Sequence, residues 1–167
     1  MHDDQTRYAT QIEKLGVQIQ ALDFEVTMLH PDDGHPVAGL RIHIADETAE
    51  LVCLYSPLGD IEGLEDLDLL NVVLSRAENL AEHRPAAEAV IAAVNETCPF
   101  GHFGMRSSGD LYFQAEYITQ YDALPEITSF ADSLVLISFA DLSLRPAILE
   151  VQSGRDATDI ITELRTE

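Results

Sequence analysis

The sequence predicts an α+β domain in which helices pack on an antiparallel sheet. Two observations lead to this prediction. Apolar residues alternate with polar ones in short segments joined by turns, as in half-buried strands, and they recur every three or four residues in longer segments, as in helices. The chain has 167 residues, of which 46% are hydrophobic, and it contains neither an internal repeat nor a linker. We therefore expect a single domain, residues 1–167, with a sizeable core.

The first third of the chain predicts one helix followed by a three-stranded antiparallel meander. Apolar residues recur at helical spacing from Tyr8 to Leu22, which places them on one helix face. The period then changes to two in residues 24–28 and 37–45, and residues 49–55 are more continuously apolar, with turn residues between these segments. Short strands joined by turns of this kind pair with their neighbours in sequence.

The middle of the chain predicts two helical segments. Apolar residues keep helical spacing from Leu67 to Leu80, and the acidic residues 60–68 before them are either a loop or the start of that helix. Pro85 suits the first turn of a further helix, because its missing N–H has no partner there in any case. Residues 86–94 follow as an alanine-rich helix.

A second hairpin and a long helix are predicted for the last third. Residues 100–106 and 111–118 are rich in aromatic residues and are separated by the turn Ser107–Asp110, which is a strong hairpin signal. Gly101 and Gly104 indicate a bulge or a close approach of the backbone. After Pro125 the chain enters its most hydrophobic segment, which we expect to be a long helix forming the central core or an interface. A short amphipathic helix is expected over residues 156–164.

The charge of the chain excludes some classes of partner. The chain contains nine Lys and Arg residues and 30 Asp and Glu residues, which gives a formal net charge of −21. Such a charge repels the phosphates of nucleic acids and anionic membrane surfaces. No apolar run reaches the length of a membrane span, and the first ten residues are too polar for a secretory signal. We expect a soluble cytoplasmic protein whose charge lies mainly in loops and solvated faces, where it also attracts a basic partner segment.

The second hairpin and its flanks resemble the YbjN family of bacterial proteins. The resemblance rests on Val94-Asn95-Glu96, the two strands, the turn Ser107–Asp110, the polar residues Gln114 and Glu116, and the helix beginning near Glu126. It implies a fold similar to that of the class I type III secretion chaperones, which are small, acidic, dimeric proteins that bind partly unfolded segments. The resemblance implies no catalytic residue.

The motifs that carry chemistry are weak. His30, Asp32, Asp33 and His35 form the tightest cluster of metal-ligand residue types, but a polar hairpin turn contains the same residues. Arg41 and His43 share the polar face of the second strand, which is either a solvated sheet face or the polar wall of a ligand groove. We assign no catalytic, cofactor-binding or metal-binding residue.

Other candidate residues have structural explanations. The acidic residues from Asp60 onward do not fit the ligand spacing of a calcium loop. Cys53 and Cys98 are expected to be reduced and buried, and His102 is expected to pair across the second hairpin.

Two functions from different classes remain. The preferred one is a non-enzymatic protein-binding, chaperone-like or regulatory domain acting as a homodimer, with an unidentified protein partner and no cofactor. Its predicted interface consists of six residues from the long helix and the second hairpin: Phe130, Leu134, Ile137, Tyr112, Gln114 and Glu116. The alternative is a small-molecule or metal-dependent enzyme that uses His30, His35 and His43.

Overall fold

The computed structural model describes residues 2–31, 35, 37–44, 49–58 and 62–166. A short 3₁₀ turn at Ala81–His83 precedes the second helix. The helices and strands, in chain order, are α1 (His2–Gln20), β1 (Val26–Leu29), β2 (Gly39–Ile42), β3 (Ala49–Pro57), β4 (Leu67–Arg76), α2 (Arg84–Asn95), β5 (His102–Met105), β6 (Leu111–Gln120), α3 (Ile127–Gln152) and α4 (Ala157–Leu164).

The six strands form one antiparallel sheet in the order β1-β2-β3-β4-β6-β5. Helix α1 packs on β1, β2 and β3, and α2 packs on β5. Helix α3 contacts both α1 and α2, while α4 packs against α2 and α3. The predicted α+β class is therefore confirmed, and the sheet contains both the predicted meander (β1–β3) and the predicted hairpin (β5–β6).

One face of the sheet carries the core. Alternate residues of the two long neighbouring strands, such as Leu70, Val72 and Leu74 on β4 and Phe113 and Ala115 on β6, are buried against the helices. Helix α1 adds the buried side chains at helical spacing that the sequence predicts, among them Ile12, Leu15 and Ile19. We call the other face of the sheet the outer face.

The prediction of a helix from Leu67 to Leu80 is wrong, because residues 67–76 form β4 in the middle of the sheet. This strand pairs with β3 on one side and β6 on the other. Its inward residues are fully apolar from Leu70 to Leu74, while Leu69 and Val73 on the outer face are apolar as well. A strand that is apolar on both faces also places apolar residues three and four positions apart, so periodicity alone does not separate it from a buried helix.

The second hairpin depends on two glycines. A Cβ built on Gly104 would lie 2.3 Å from the ring of Tyr112, so the predicted close approach at this glycine is confirmed. In the turn, Gly109 has a φ of +92°, a backbone conformation that residues with a Cβ rarely adopt. The Arg106 amide donates to the Asp110 carbonyl and closes the turn at 2.9 Å.

Candidate functional site

The inner side of α3 is part of the core. Glu126 caps the start of the helix by accepting hydrogen bonds from the amides of Thr128 (3.0 Å) and Ser129 (2.7 Å). Over the next three turns, Phe130, Leu134 and Ile137 are buried in the core. These three residues were predicted to form an interface with a partner. The fold of the protomer itself covers them, so they are not exposed to a partner in this structure, and an interface role for them stays a prediction.

The outer side of α3 is exposed and apolar. Val135, Leu136, Phe139 and Leu142 are between 45% and 62% exposed. Their spacing of one, four and seven residues places them on one helix surface, which we call the α3 stripe. From Ser133 to Leu144 the only charged residue of the helix is Asp141.

Asp141 faces inward and is paired. Its carboxylate accepts hydrogen bonds from the guanidinium of Arg76, with Nε of the arginine 3.2 Å from Oδ1. The two side chains are 9% and 2% exposed. The α3 stripe is therefore a neutral surface on a chain with a formal charge of −21.

A groove of about 310 Å³ runs beside the α3 stripe. Val135, Phe139 and Leu142 form one wall, and Phe24 and Ile44 form much of the other. Phe24 precedes β1 and Ile44 follows β2, so the groove lies where one end of the β1–β2 pair meets α3. It offers a mostly apolar hollow next to the apolar stripe.

His43 lines the rim of this groove, and its ring nitrogen Nε2 lies 2.8 Å from the Thr27 hydroxyl. The remaining histidines of the sequence hypotheses do not join it. His30 is exposed, His35 is half-buried on the outer face, and Asp32 and Asp33 lie outside the described residues. Within the described ranges, no group of three or more His, Cys, Asp or Glu is arranged to hold a metal ion.

The three hairpin residues of the predicted interface lie on the outer face. Tyr112, Gln114 and Glu116 are alternate residues of β6, and the Gln114 amide donates to the carboxylate of Glu116 and the side-chain oxygen of Asn71. They are on the opposite side of the sheet from α3. The six predicted interface residues are therefore not brought together, and an interface role for these three stays a prediction.

His102 contacts the hairpin as expected. Its ring meets the edge of Tyr112, with 6.2 Å between the ring centroids. Of the two thiols, Cys53 is fully buried and burial raises its pKa, while Cys98 is half-buried; both are free of disulfides.

A second ion pair fixes α1 to the sheet. Asp68 at the start of β4 binds the guanidinium of Arg7, with Nη2 to Oδ1 at 2.9 Å, and accepts a hydrogen bond from the Tyr8 hydroxyl at 2.9 Å. The guanidinium also lies 4.0 Å from the centroid of the Tyr121 ring. Burial by itself raises the pKa of Asp68, but its hydrogen bonds and the charge of Arg7 outweigh burial and lower it. Burial and the bond to Asp68 raise the pKa of Tyr8 to about 12.

Two comparisons with known proteins found no relative of this chain. No family model matches this chain, and no curated protein matches it. No helix among the described residues is long and apolar enough to cross a membrane.

The predicted interface does not include the outward residues of α3. Of this helix it contains only Phe130, Leu134 and Ile137, whereas Val135, Leu136, Phe139 and Leu142 are the exposed residues. The available signal was that α3 is apolar around most of its circumference, although one side of a helix is enough to pack on a sheet. Such a helix has apolar residues left over for a second contact.

Proposed function

We propose that this protein is a non-enzymatic protein-binding domain that acts as a homodimer, with the α3 stripe of one protomer packed on the α3 stripe of the other. The observation that carries the proposal is the exposure of Val135, Leu136, Phe139 and Leu142 on one side of a single helix. Large contiguous apolar patches on a protein surface mark interaction sites. Because these side chains are already half-buried in the protomer, burying the rest of each contributes about half of the 1.5–3 kcal/mol that full burial from water provides.

The distribution of charge supports a second copy of this chain as the occupant. Two copies repel one another, since each carries a formal charge of −21. Repulsion between exposed charges is screened beyond about 8 Å at physiological salt, so it is strongest where the two surfaces touch. A two-fold contact places the same patch on both sides. The neutral segment from Ser133 to Leu144 allows such a contact without bringing exposed charges together.

The groove beside the stripe gives this contact a specific shape. The ring of Phe139 is 62% exposed, and the groove between Phe24, Ile44 and Leu142 lies next to it. In a two-fold contact the Phe139 ring of each protomer enters the groove of the other. Aromatic anchors in pockets dominate the energy of many interfaces.

The chaperone-like part of the proposal rests on the resemblance of the second hairpin to the YbjN family and on the acidity of the chain. A dimer of this kind keeps the outer face, with Tyr112, Gln114 and Glu116, available to a partner segment. Basic segments are favoured partners, because the net charge of the protein attracts them over a long range.

Three single variants test the dimer. Phe139→Ser and Leu142→Ser remove apolar contacts from the stripe, whereas Val17→Ser removes an equally exposed apolar side chain (67%) from α1. We expect the dimer dissociation constant, measured by sedimentation equilibrium, to rise at least tenfold in the two α3 variants and to change less than threefold in the control. A dimer that all three variants leave intact would contradict the proposed interface while leaving dimerisation standing.

Raising the salt concentration provides an independent check. Because salt screens the repulsion between the two acidic protomers, we expect tighter association at 0.5 M than at 0.05 M salt. An interface made of ion pairs would respond in the opposite direction.

A further inference from the structure

The outer face of the sheet contains a groove of about 470 Å³, which we call the sheet groove. Its apolar surface is formed by Leu29, Val37, Val52, Leu54 and Val73. This volume lies within the range of sites that bind small molecules. The groove is separate from the α3 stripe, which lies on the other side of the sheet.

The register of the strands explains the hollow. Leu29 is paired with Gly39, and Gly39 with Leu54, so three neighbouring strands place these residues in one row. Gly39 has no side chain, which leaves a depression between the two leucines. Val52 and Val73, paired with each other across β3 and β4, continue the apolar floor.

Arg106 lines the groove beyond this floor. Its guanidinium donates a hydrogen bond to the Ser75 hydroxyl at 3.1 Å, and no ion pair joins it to any carboxylate of the described residues. Other arginines of this acidic chain have such partners: Arg84 pairs with Glu88 and Arg165 with Glu96. An exposed arginine without a carboxylate is unexpected in a chain with 30 Asp and Glu.

The other charges on the groove balance each other. Arg41 donates from Nε to Glu50 Oε1 at 2.6 Å, and both residues line the same groove. This pair is neutral as a unit, so Arg106 leaves the lining with one excess positive charge when His35 is uncharged. Arginine presents several donors to an anion and is well suited to bind a carboxylate.

The direction of the groove indicates what kind of molecule fits it. It extends across the strands, from β1 and β2 over β3 and β4 to Arg106, which is about 15 Å for three strand spacings. Strands β2, β3 and β4 are each paired on both sides, so they have no free edge here to pair with an extended peptide. An alkyl chain needs no hydrogen bonds and loses none when it lies on an apolar floor.

We propose that the sheet groove binds an amphipathic carboxylate, with its alkyl chain on the floor from Leu29 to Val73 and its carboxylate on the guanidinium of Arg106. The Ser75 hydroxyl lies beside this guanidinium and provides a second donor. This site is independent of the proposed dimer.

Decanoate and its uncharged analogue decanol are the probes for the full-length protein. Binding is measured by isothermal titration calorimetry, below the concentration at which decanoate forms micelles. The variant Arg106→Gln removes the charge at the groove, and Arg165→Gln is the matched control, because it changes the net charge equally at an exposed arginine elsewhere. Circular dichroism verifies that both variants are folded.

We expect one decanoate to bind per chain. Decanol should bind at least tenfold more weakly, because its neutral hydroxyl lacks the negative charge and the second oxygen with which a carboxylate accepts hydrogen bonds from a guanidinium. Arg106→Gln is expected to lower the affinity for decanoate at least tenfold, so that decanoate and decanol bind with similar affinity. Arg165→Gln should change the affinity for decanoate less than threefold. Equal affinity for decanoate and decanol, or an unchanged affinity in Arg106→Gln, would overturn the proposal. Absence of decanoate binding, with a carboxylate-bearing peptide bound in its place, would overturn it in favour of a protein ligand.

Discussion

Arg76 and Asp141 form an ion pair inside the protein that joins the last residue of β4 to the middle of α3. Both side chains are almost completely buried, and the guanidinium meets the carboxylate through two nitrogens. Glu78 lies 3.7 Å from Nε of the same arginine. Through this pair, the most hydrophobic helix has a fixed position on the sheet, and its single mid-helix charge is removed from the α3 stripe.

Removing one partner of this pair should cost more than removing both. Asp141→Leu leaves the Arg76 guanidinium buried without its main carboxylate, and we expect a loss of about 3 kcal/mol in the free energy of unfolding. The double variant Arg76→Met/Asp141→Leu should be more stable than the single variant, since it removes the unpaired guanidinium, while the nearby Glu78 carboxylate keeps its hydrogen bond from Gln152. Urea denaturation measures both.

The exposed pair of Arg165 and Glu96 is the matched control for this experiment. Both of its side chains are 64% exposed, and we expect Glu96→Gln to change stability by less than about 1 kcal/mol. A double variant that is less stable than Asp141→Leu would contradict this explanation, because it would show that Arg76 stabilises the fold even without Asp141.

The ion pair of Arg7 and Asp68 should make part of the stability depend on pH. The pKa of Asp68 is lowered in the folded protein, so its contribution is present above the unfolded pKa of about 3.9 and is lost as the pH falls below it. We expect Asp68→Asn to lose about 3 kcal/mol at pH 7 and less at pH 3. Denaturation at the two pH values checks this, with Asp66→Asn as the exposed neighbouring control. A deficit that stays constant between the two pH values would contradict the assignment.

The cap of α3 should show the same sign of pH dependence. The hydrogen bonds from Ser129 and Thr128 lower the pKa of Glu126 to about 2. Its stabilising effect is therefore complete above the ordinary glutamate pKa and disappears as the pH falls towards 2. We expect Glu126→Ala to lower the melting temperature at pH 7 and to have a smaller effect at pH 2.5, as measured by circular dichroism. A larger effect in acid would exclude this cap as the cause.

Asn95 should stabilise β5, the strand at the edge of the sheet. The side chain of Asn95, the last residue of α2, accepts a hydrogen bond from the Phe103 amide (2.8 Å) and donates one to the Phe103 carbonyl (2.9 Å). It thus satisfies the backbone groups that an edge strand would otherwise present to another chain. Asn95→Ala should cost about 2 kcal/mol and speed hydrogen exchange at the Phe103 amide.

Thr97→Ala is a suitable control for Asn95→Ala. The exposed Thr97 hydroxyl donates to the Val94 carbonyl and makes no contact with Phe103 that would protect its amide, so the loss of this hydroxyl should leave exchange at Phe103 unchanged. If the Phe103 amide of the Asn95→Ala variant exchanges at the wild-type rate, a group other than Asn95 must protect this amide.

The spacing of apolar residues correctly predicted the helices and strands that have one apolar and one polar face. Helix α1 and strand β2 each bury one side, and both were identified. Strand β4 is predicted as a helix because Leu69 and Val73 on its outer face add apolar residues to those on its inner face. Only its neighbours β3 and β6 show that it is a strand, and this pairing is a long-range property that spacing does not contain.

The site was harder to predict than the fold, because it depends on which side of an element is covered. Phe130 and Val135 are equally apolar in the sequence, but the sheet covers the first and leaves the second exposed. The pairing of Arg76 with Asp141 joins residues 65 positions apart. Gly39 and Leu54 lie side by side because of the register between β2 and β3, and the spacing of residues along the chain does not give this register.

Sedimentation equilibrium of the wild-type protein tests the central claim most directly. The chain has a mass of 18.4 kDa. At micromolar concentrations we predict a species of twice that mass, with dissociation on dilution. A single species of 18.4 kDa over the whole micromolar range would contradict self-association through α3.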